Sequence, residues 1–276
     1  MARLLRRQGW WIPCILLALI SIGPFLWVLL VSFKTQIQAI TNTPVTLWPQ
    51  PWTGAAYIAD FSGTGSNVVF LLNSFLVATI TTLATLLLSI PAAYSLARFR
   101  IRGARNTQFW LVSIRMMPPV VAVIPMAVLL KAVGLFGSDI GLTLVYVVAN
   151  ASFAVWMLTI HFKEVPIEVE ESAHIDGASH LQSMTRILIP LAAAGIAVVA
   201  VFTFIFSWND LLYALILTQG SAETLPVALS TFASDTSIPW PNMAAMSMAQ
   251  ILPAVAVVSV FQKYIVGGLS MGAVRG

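Results

Sequence analysis

After Arg7 the next charged residue is Lys34, so positions 8 to 33 form an unbroken uncharged run. At about 1.5 Å of rise per residue, a helix of that length crosses the ~30 Å hydrocarbon core of a bilayer. A helix that is apolar all round has no face to turn to water, whereas in lipid it satisfies its backbone polar groups internally. Five further apolar stretches follow. The expected spans are about 10–33, 68–97, 108–130, 140–160, 190–217 and 243–266, in one transmembrane domain over 1–276. The fold class expected is an all-α membrane protein with six transmembrane helices. With 59% hydrophobic and only 9% charged residues, the chain lies far outside the range of soluble domains.

The first run is longer than the apolar centre of a signal peptide and lacks a small-residue cleavage site, so it reads as an uncleaved span. Trp10 and Trp11 suit the headgroup level. Pro91 is expected to kink the second span, and Pro118-Pro119 and Pro125 to break the third. Pro44, Pro49, Pro51, Gly63 and Gly65 make 34–67 a loop with a short helix around Ala55. Pro226, Pro239 and Pro241 stiffen a second long loop, Thr218 to Pro241.

The net charge of +4 follows topology and gives no sign of nucleic-acid binding. With six spans and a cytoplasmic N-terminus, the inner segments carry Arg3, Arg6, Arg7, Arg98, Arg100, Arg102, Arg105, Lys163, Arg186, Lys263 and Arg275. The outer loops carry Lys34 and Lys131, and Arg115 lies within a span. Eleven basic residues against two place both termini and the 161–190 loop in the cytoplasm by the positive-inside rule.

That loop holds half of the ten acidic residues, from Glu164 to Asp176. Pro166 suits a first helical turn, and Glu168, Glu170 and Glu171 sit near the positive end of the helix dipole. Gly177 is a stop signal, and Ser179 with Gln182 makes a capping box that starts a second helix towards Pro190. Val169, Ser172, Ala173 and Asp176 share a face of mostly small side chains. Taken alone, this describes a solvated amphipathic pair of helices.

The spacing adds more. Glu171-Ser172-Ala173, Asp176-Gly177-Ala178 and Ile187-Leu188-Ile189-Pro190 resemble the EAA loop of the permease subunits of bacterial ABC importers. The family pattern is Glu-Ala-Ala, three residues, Gly, nine residues, Ile, one residue, Leu-Pro; here Ser172 replaces an alanine and Ile189 the leucine. Asn73-Ser74-Phe75, Ala92 to Phe99, Arg115 to Pro119, Ser207 to Asp210 and the tail from Gly267 resemble the carbohydrate branch, within it the smaller permease of maltose-type systems. The resemblance covers nearly the whole chain except Thr35 to Gly65.

It implies the type I ABC importer permease fold in a bacterial plasma membrane, embedded in lipid. The implied function is import of a sugar or sugar-like solute, driven by ATP and Mg held on other subunits, with no cofactor in this chain. The implied partners are a second, larger permease, a cytoplasmic ATPase dimer and an extracytoplasmic solute-binding protein. Glu170, Glu171, Ser172, Ala173, Asp176, Gly177 and Ala178 become the ATPase-coupling residues. In that subfamily the Thr218–Pro241 loop reaches the binding protein, and the C-terminal tail contacts the ATPase.

A substrate path is read from polar and aromatic residues in the spans: Arg115, Asn150, Trp208, Asn209 and Asp210. Arg115 suits an anionic group on the cargo, or a structural role on carbonyls freed by Pro118 and Pro119. Asn150 suits sugar hydroxyls or an interhelical hydrogen bond. Trp208 beside Asn209 and Asp210 suits a sugar face, or the interfacial aromatic belt. The alternative function is an ion-coupled secondary transporter, for which Asp210 is the one suitable intramembrane acid. Cys14 alone makes no disulfide framework or cysteine-rich metal site. His161, His174 and His180 lack metal-ligand spacing and read as surface residues. No Gly-Lys pair, His-Glu-x-x-His or Gly-x-Ser-x-Gly occurs, so no catalytic constellation is expected.

Overall fold

The computed structural model describes residues 11–41, 46–63, 67–233 and 238–271. Arg3, Arg6, Arg7, Trp10, Pro44, Gly65 and Arg275 lie outside the described residues. Among the described residues the regular structure is helical, apart from one isolated bridge between Gly137 and Thr218. The helices are α1 Trp11–Ser32, α2 Gln36–Ile40, α3 Ala55–Phe61, α4 Val68–Arg98, α5 Ala104–Arg115, α6 Pro119–Ala132 and α7 Asp139–Glu164. Then come α8 Ile167–Ile175, α9 His180–Leu191, α10 Ala193–Trp208, α11 Leu212–Leu217, α12 Leu225–Thr231 and α13 Trp240–Met271.

Four of these helices are long and apolar enough to cross a membrane, and two bent pairs raise the total among the described residues to as many as six. The first pair, α5 and α6, meets at 95°. Pro119 excludes the helical region for the residue before it, and Pro118 is accordingly extended at φ −58°, ψ 126°. Pro125, expected to break the chain too, lies inside α6.

The second pair, α9 and α10, meets at 79°. The fifth span was expected to begin at Pro190, but the connector helix runs past it and turns at Ala192. A π-helical turn, Met184–Leu188, precedes the proline, with Ile189 N–H donating to Met184 O. This wider turn accommodates a residue that has no N–H of its own to donate. The expected continuous helix to 217 instead ends at Trp208, and a separate short helix follows.

Helix α4 shows the packing logic of lipid. Its buried face is Ser74, Val77, Ala78, Thr81, Thr85, Ser89 and Ala93, recurring at three and four residues. Leu72, Leu76, Ile80, Leu83 and Leu87 point outwards. Lipid tails are as apolar as leucine, so burying leucine against another helix gains little there. Small side chains gain by letting backbones approach.

The chain divides into two compact units, Met1–Val69 with Ala228–Leu252, and Phe70–Val227 with Pro253–Gly276. No composition break announces this division, because Val69 and Leu252 both fall inside long apolar helices. Within the first unit, Phe33 packs its ring against Trp52 and Tyr57, and Asn242 donates to Asp60 Oδ1 at 2.9 Å. The second unit holds three packed clusters. One surrounds Val77, Val123, Leu142 and Tyr146; another surrounds Tyr94, Leu158, Phe162 and Leu188; the third is Ala78, Phe204 and Trp208. Two close approaches depend on glycine. A Cβ on Gly141 would stand 2.2 Å from Leu135 O, and one on Gly195 would stand 2.4 Å from His161 Cγ.

Candidate coupling and substrate-path sites

The connector is built by local rules. Pro166 occupies the N-cap of α8 at φ −56°, ψ 132°, and Glu168 and Glu170 lie in the first turn. The helix ends where Gly177 enters the left-handed region at φ +88°. Ala178 N–H donates to Ala173 O at 2.9 Å, closing the C-terminus. Ser179 and Gln182 form the reciprocal capping box that starts α9.

Six of the seven proposed coupling residues keep some access to solvent: Glu171, Ser172, Asp176 and Gly177 are exposed, and Ala173 and Ala178 are half-buried. Ile175, 87% exposed, shares this exposed end of the helix, and an isoleucine inside an acidic island is a usable sequence signal for it.

Glu170 departs from the expectation of a coupling surface. Its side chain is only 3% exposed and pairs with Arg98, whose Nε donates to Oε1 at 2.6 Å. Oε2 accepts from Tyr94 Oη at 3.1 Å and Ser183 Oγ at 3.0 Å. Arg98 Nη2 also donates to Val165 O at 3.0 Å. Glu170 therefore faces inwards, because α8 turns that side onto the end of α4. Removing one partner from a buried pair typically costs ~3–5 kcal/mol, since the other charge stays desolvated. Arg98, Tyr94 and Ser183 carry no local signal of this role.

The histidines are not equivalent surface residues either. His180 is exposed, but His174 is half-buried, with the two rings 4.6 Å apart. His161 lies under Gly195 with a buried Nε2, while its Nδ1 is 3.3 Å from Glu164 Oε2.

Arg115, Asn150 and Asp210 line a single cleft of about 340 Å³, with Tyr146, Phe206 and Tyr213. That volume lies at the lower end of small-ligand sites. Arg115 is the last residue of α5, where a cation complements the helix dipole. Its Nη1 donates to Ala149 O at 3.3 Å, and its guanidinium lies over the rings of Phe206 and Phe153 at 4.4 and 5.4 Å. The carbonyl it reaches belongs to α7, so it is not one released by Pro118 or Pro119. Asn150, 3% exposed, donates to Tyr146 O at 2.9 Å and to Ser207 Oγ at 3.3 Å, bridging α7 and α10.

Trp208 and Asn209 stand apart from the cleft. Trp208 is 1% exposed and stacks on Phe204 at 5.7 Å, which removes it from both the sugar-face and interfacial-belt readings. It is buried because it shares one helix face with Phe204. Asn209 is exposed and donates to Ile205 O at 3.1 Å. Asp210 Oδ2 accepts from Tyr146 Oη and from the Tyr213 and Ala214 N–H groups, so it caps α11. Chemically, the cleft is lined by aromatic rings, the Asn150 amide, two tyrosines, the Asp210 carboxylate and the Arg115 cation. These are groups for holding a hydroxylated solute.

Residues 86–270 match the family model described as binding-protein-dependent transport system inner membrane component. The chain is 33% identical over 276 residues to the inner membrane ABC transporter permease protein YcjP of Escherichia coli (strain K12), spanning 99% of this chain and 98% of that one. It is 35% identical over 256 residues to the trehalose transport system permease protein SugB of Mycobacterium tuberculosis (strain CDC 1551 / Oshkosh), covering 92% of each. Its fold superposes on a chain of a bacterial ABC transporter involved in the import of the acidic polysaccharide alginate. That match has a TM-score of 0.77 at 21% identity and covers 94% of this chain and 96% of that one.

Proposed function

Because this chain belongs to the binding-protein-dependent transport system inner membrane components, the permeases of ABC importers, we propose that its 165–190 connector couples a partner ATPase to solute passage. It is a multi-pass inner-membrane transport subunit and not an enzyme; ATP hydrolysis in such systems belongs to a separate subunit. The cargo is a sugar or sugar-like solute. The permease named for trehalose transport supports that class, as do the hydroxyl and amide groups of the cleft.

The observation that carries the coupling reading is the split within the connector. Glu170 is drawn into the protein, while Glu171, Ser172, Ile175, Asp176 and Gly177 are presented outwards at the end of α8. An exposed isoleucine among acids and small residues suits a cleft on a partner. The partners are an ATPase dimer holding ATP and Mg, a second, larger permease and an extracytoplasmic solute-binding protein. Both termini lie in the cytoplasm with the connector, in keeping with the distribution of Lys and Arg. In the working cycle, nucleotide-driven closure of the ATPase displaces α8, and the spans alternate between two openings. Arg115, Asn150 and Asp210 line the path taken by the solute.

The ion-coupled alternative loses its support here, since the acid it requires is already engaged as a helix cap and by Tyr146. The test is reconstitution of the complete complex in vesicles with a panel of radiolabelled disaccharides, alongside membrane-impermeant labelling of Asp176→Cys. Uptake that requires ATP, with labelling only from the cytoplasmic side, is expected. Uptake by this chain alone along an ion gradient, or exterior labelling, overturns the reading.

A further inference from the structure

Five acids lie between Glu164 and Asp176, and four of them are exposed; Glu170 is the fifth. We propose that Glu170 is a positioning residue of the transport cycle, whose carboxylate locks connector helix α8 to the inner end of α4 so that the two move as one body. The inference rests on the ATP-driven reading above.

The connector has two joints at which the helix is interrupted. Val165 and Pro166 are both extended, at ψ 123° and 132°, and Gly177 is left-handed. With the backbone alone, held at the second joint by Gly177 N–H on His174 O and Ala178 N–H on Ala173 O, a force applied to α8 would be absorbed in part by rotation at the Val165–Pro166 joint.

Side chains close that freedom. Tyr94 and Arg98 stand one turn apart on the same face of α4, and both bond the Glu170 carboxylate. Ser183 brings α9 to the same oxygen that accepts from Tyr94, and Arg98 reaches across the first joint to Val165 O. Phe99 adds a ring contact to His180 at 5.1 Å. The ion pair is almost wholly withdrawn from water, so solvent does not compete for its geometry.

Helix α4 then carries the displacement. It is continuous from Val68 to Arg98, and Val77 packs in the same cluster as Tyr146, whose side chain lines the cleft. A shift imposed at Glu170 therefore has an uninterrupted route to the solute path.

The test uses the whole complex with its ATPase, in lipid nanodiscs, on a Cys14→Ser background. Cys14 is the sole cysteine of the chain. Spin labels at Glu168→Cys on α8 and Leu87→Cys on α4, both exposed positions, report their separation with ADP and with ATP plus vanadate. With Glu170 intact, the distance distribution is expected to be the same in both nucleotide states. In Glu170→Gln, nucleotide is expected to shift and broaden it, while the complex still assembles. If Glu170→Gln does not assemble, Tyr94→Phe combined with Ser183→Ala removes two of the three donors, keeps the ion pair, and is expected to broaden the distribution in the same direction.

A distance that changes with nucleotide when Glu170 is intact overturns the proposal. So does a distance that stays fixed in the variants. ATP dependence of disaccharide uptake by the unmodified complex, measured first, tests the underlying reading separately.

Discussion

Tyr146 on α7 donates its hydroxyl to Asp210 Oδ2 at 2.9 Å, and that oxygen also accepts the Tyr213 N–H at 2.9 Å. One carboxylate oxygen thus starts helix α11 and ties it to α7. The acid that composition offers as an ion site is a structural cap, and this determines how its variants should behave.

Asp210→Asn keeps an N-capping side chain, since asparagine and aspartate cap about equally well. It is expected to retain ATP-driven uptake. Asp210→Ala loses the cap, at a cost of ~0.5–2 kcal/mol, together with the Tyr146 bond. Thermal unfolding of the purified protein in detergent, run beside vesicle uptake, checks both. Abolished uptake in a normally stable Asp210→Asn protein would restore the ion-coupled mechanism.

Gly177→Asp forces a side chain into φ +88°, a conformation costing roughly 1–2 kcal/mol outside glycine, and adds charge to the proposed docking end. Glu171→Lys reverses charge on the same exposed end without touching Gly177. Both variants are expected to leave the spans folded and the ATPase active while uptake is lost. Measuring phosphate release and uptake on the same vesicles decides it, and full uptake by both variants would remove the coupling role.

Gly195→Ala would place a methyl carbon 2.4 Å from His161 Cγ. Overpacking of this kind costs about 1–3 kcal/mol. The expected signature is a destabilised single variant that His161→Ala largely rescues. A double-mutant cycle on melting temperatures measures the coupling, and additive losses would show that the two residues do not meet.

Arg115 lies over two aromatic faces and on the Ala149 carbonyl, so its contacts are satisfied without a cargo anion. Arg115→Met is therefore expected to impair neutral and acidic sugars alike. Competition between a neutral disaccharide and its uronic-acid counterpart reads this out. A selective loss of the acidic sugar would instead assign Arg115 to anion recognition.

Much of the architecture was legible from local chemistry. Uncharged runs long enough to cross lipid mark the helices, because a buried backbone in hydrocarbon has few alternatives. Gly177 and the Ser179–Gln182 box set the break in the connector through forces acting within four residues. The bend at Pro118-Pro119 was equally readable, since a proline restricts its own neighbour. The π-helical turn at Met184–Leu188 was not, because nothing in the residues around Pro190 specifies the wider turn that carries the helix past it.

What the sequence alone determined is therefore the helical, lipid-embedded class, the family and the position of its acidic connector. Only the tertiary structure decided which acids face outwards, that Trp208 is core, and that Arg115, Asn150 and Asp210 share a cleft from which Asn209 is absent. The physical reason is distance along the chain. Glu170 meets Tyr94 and Arg98 across more than seventy residues, and no local preference encodes a contact of that separation.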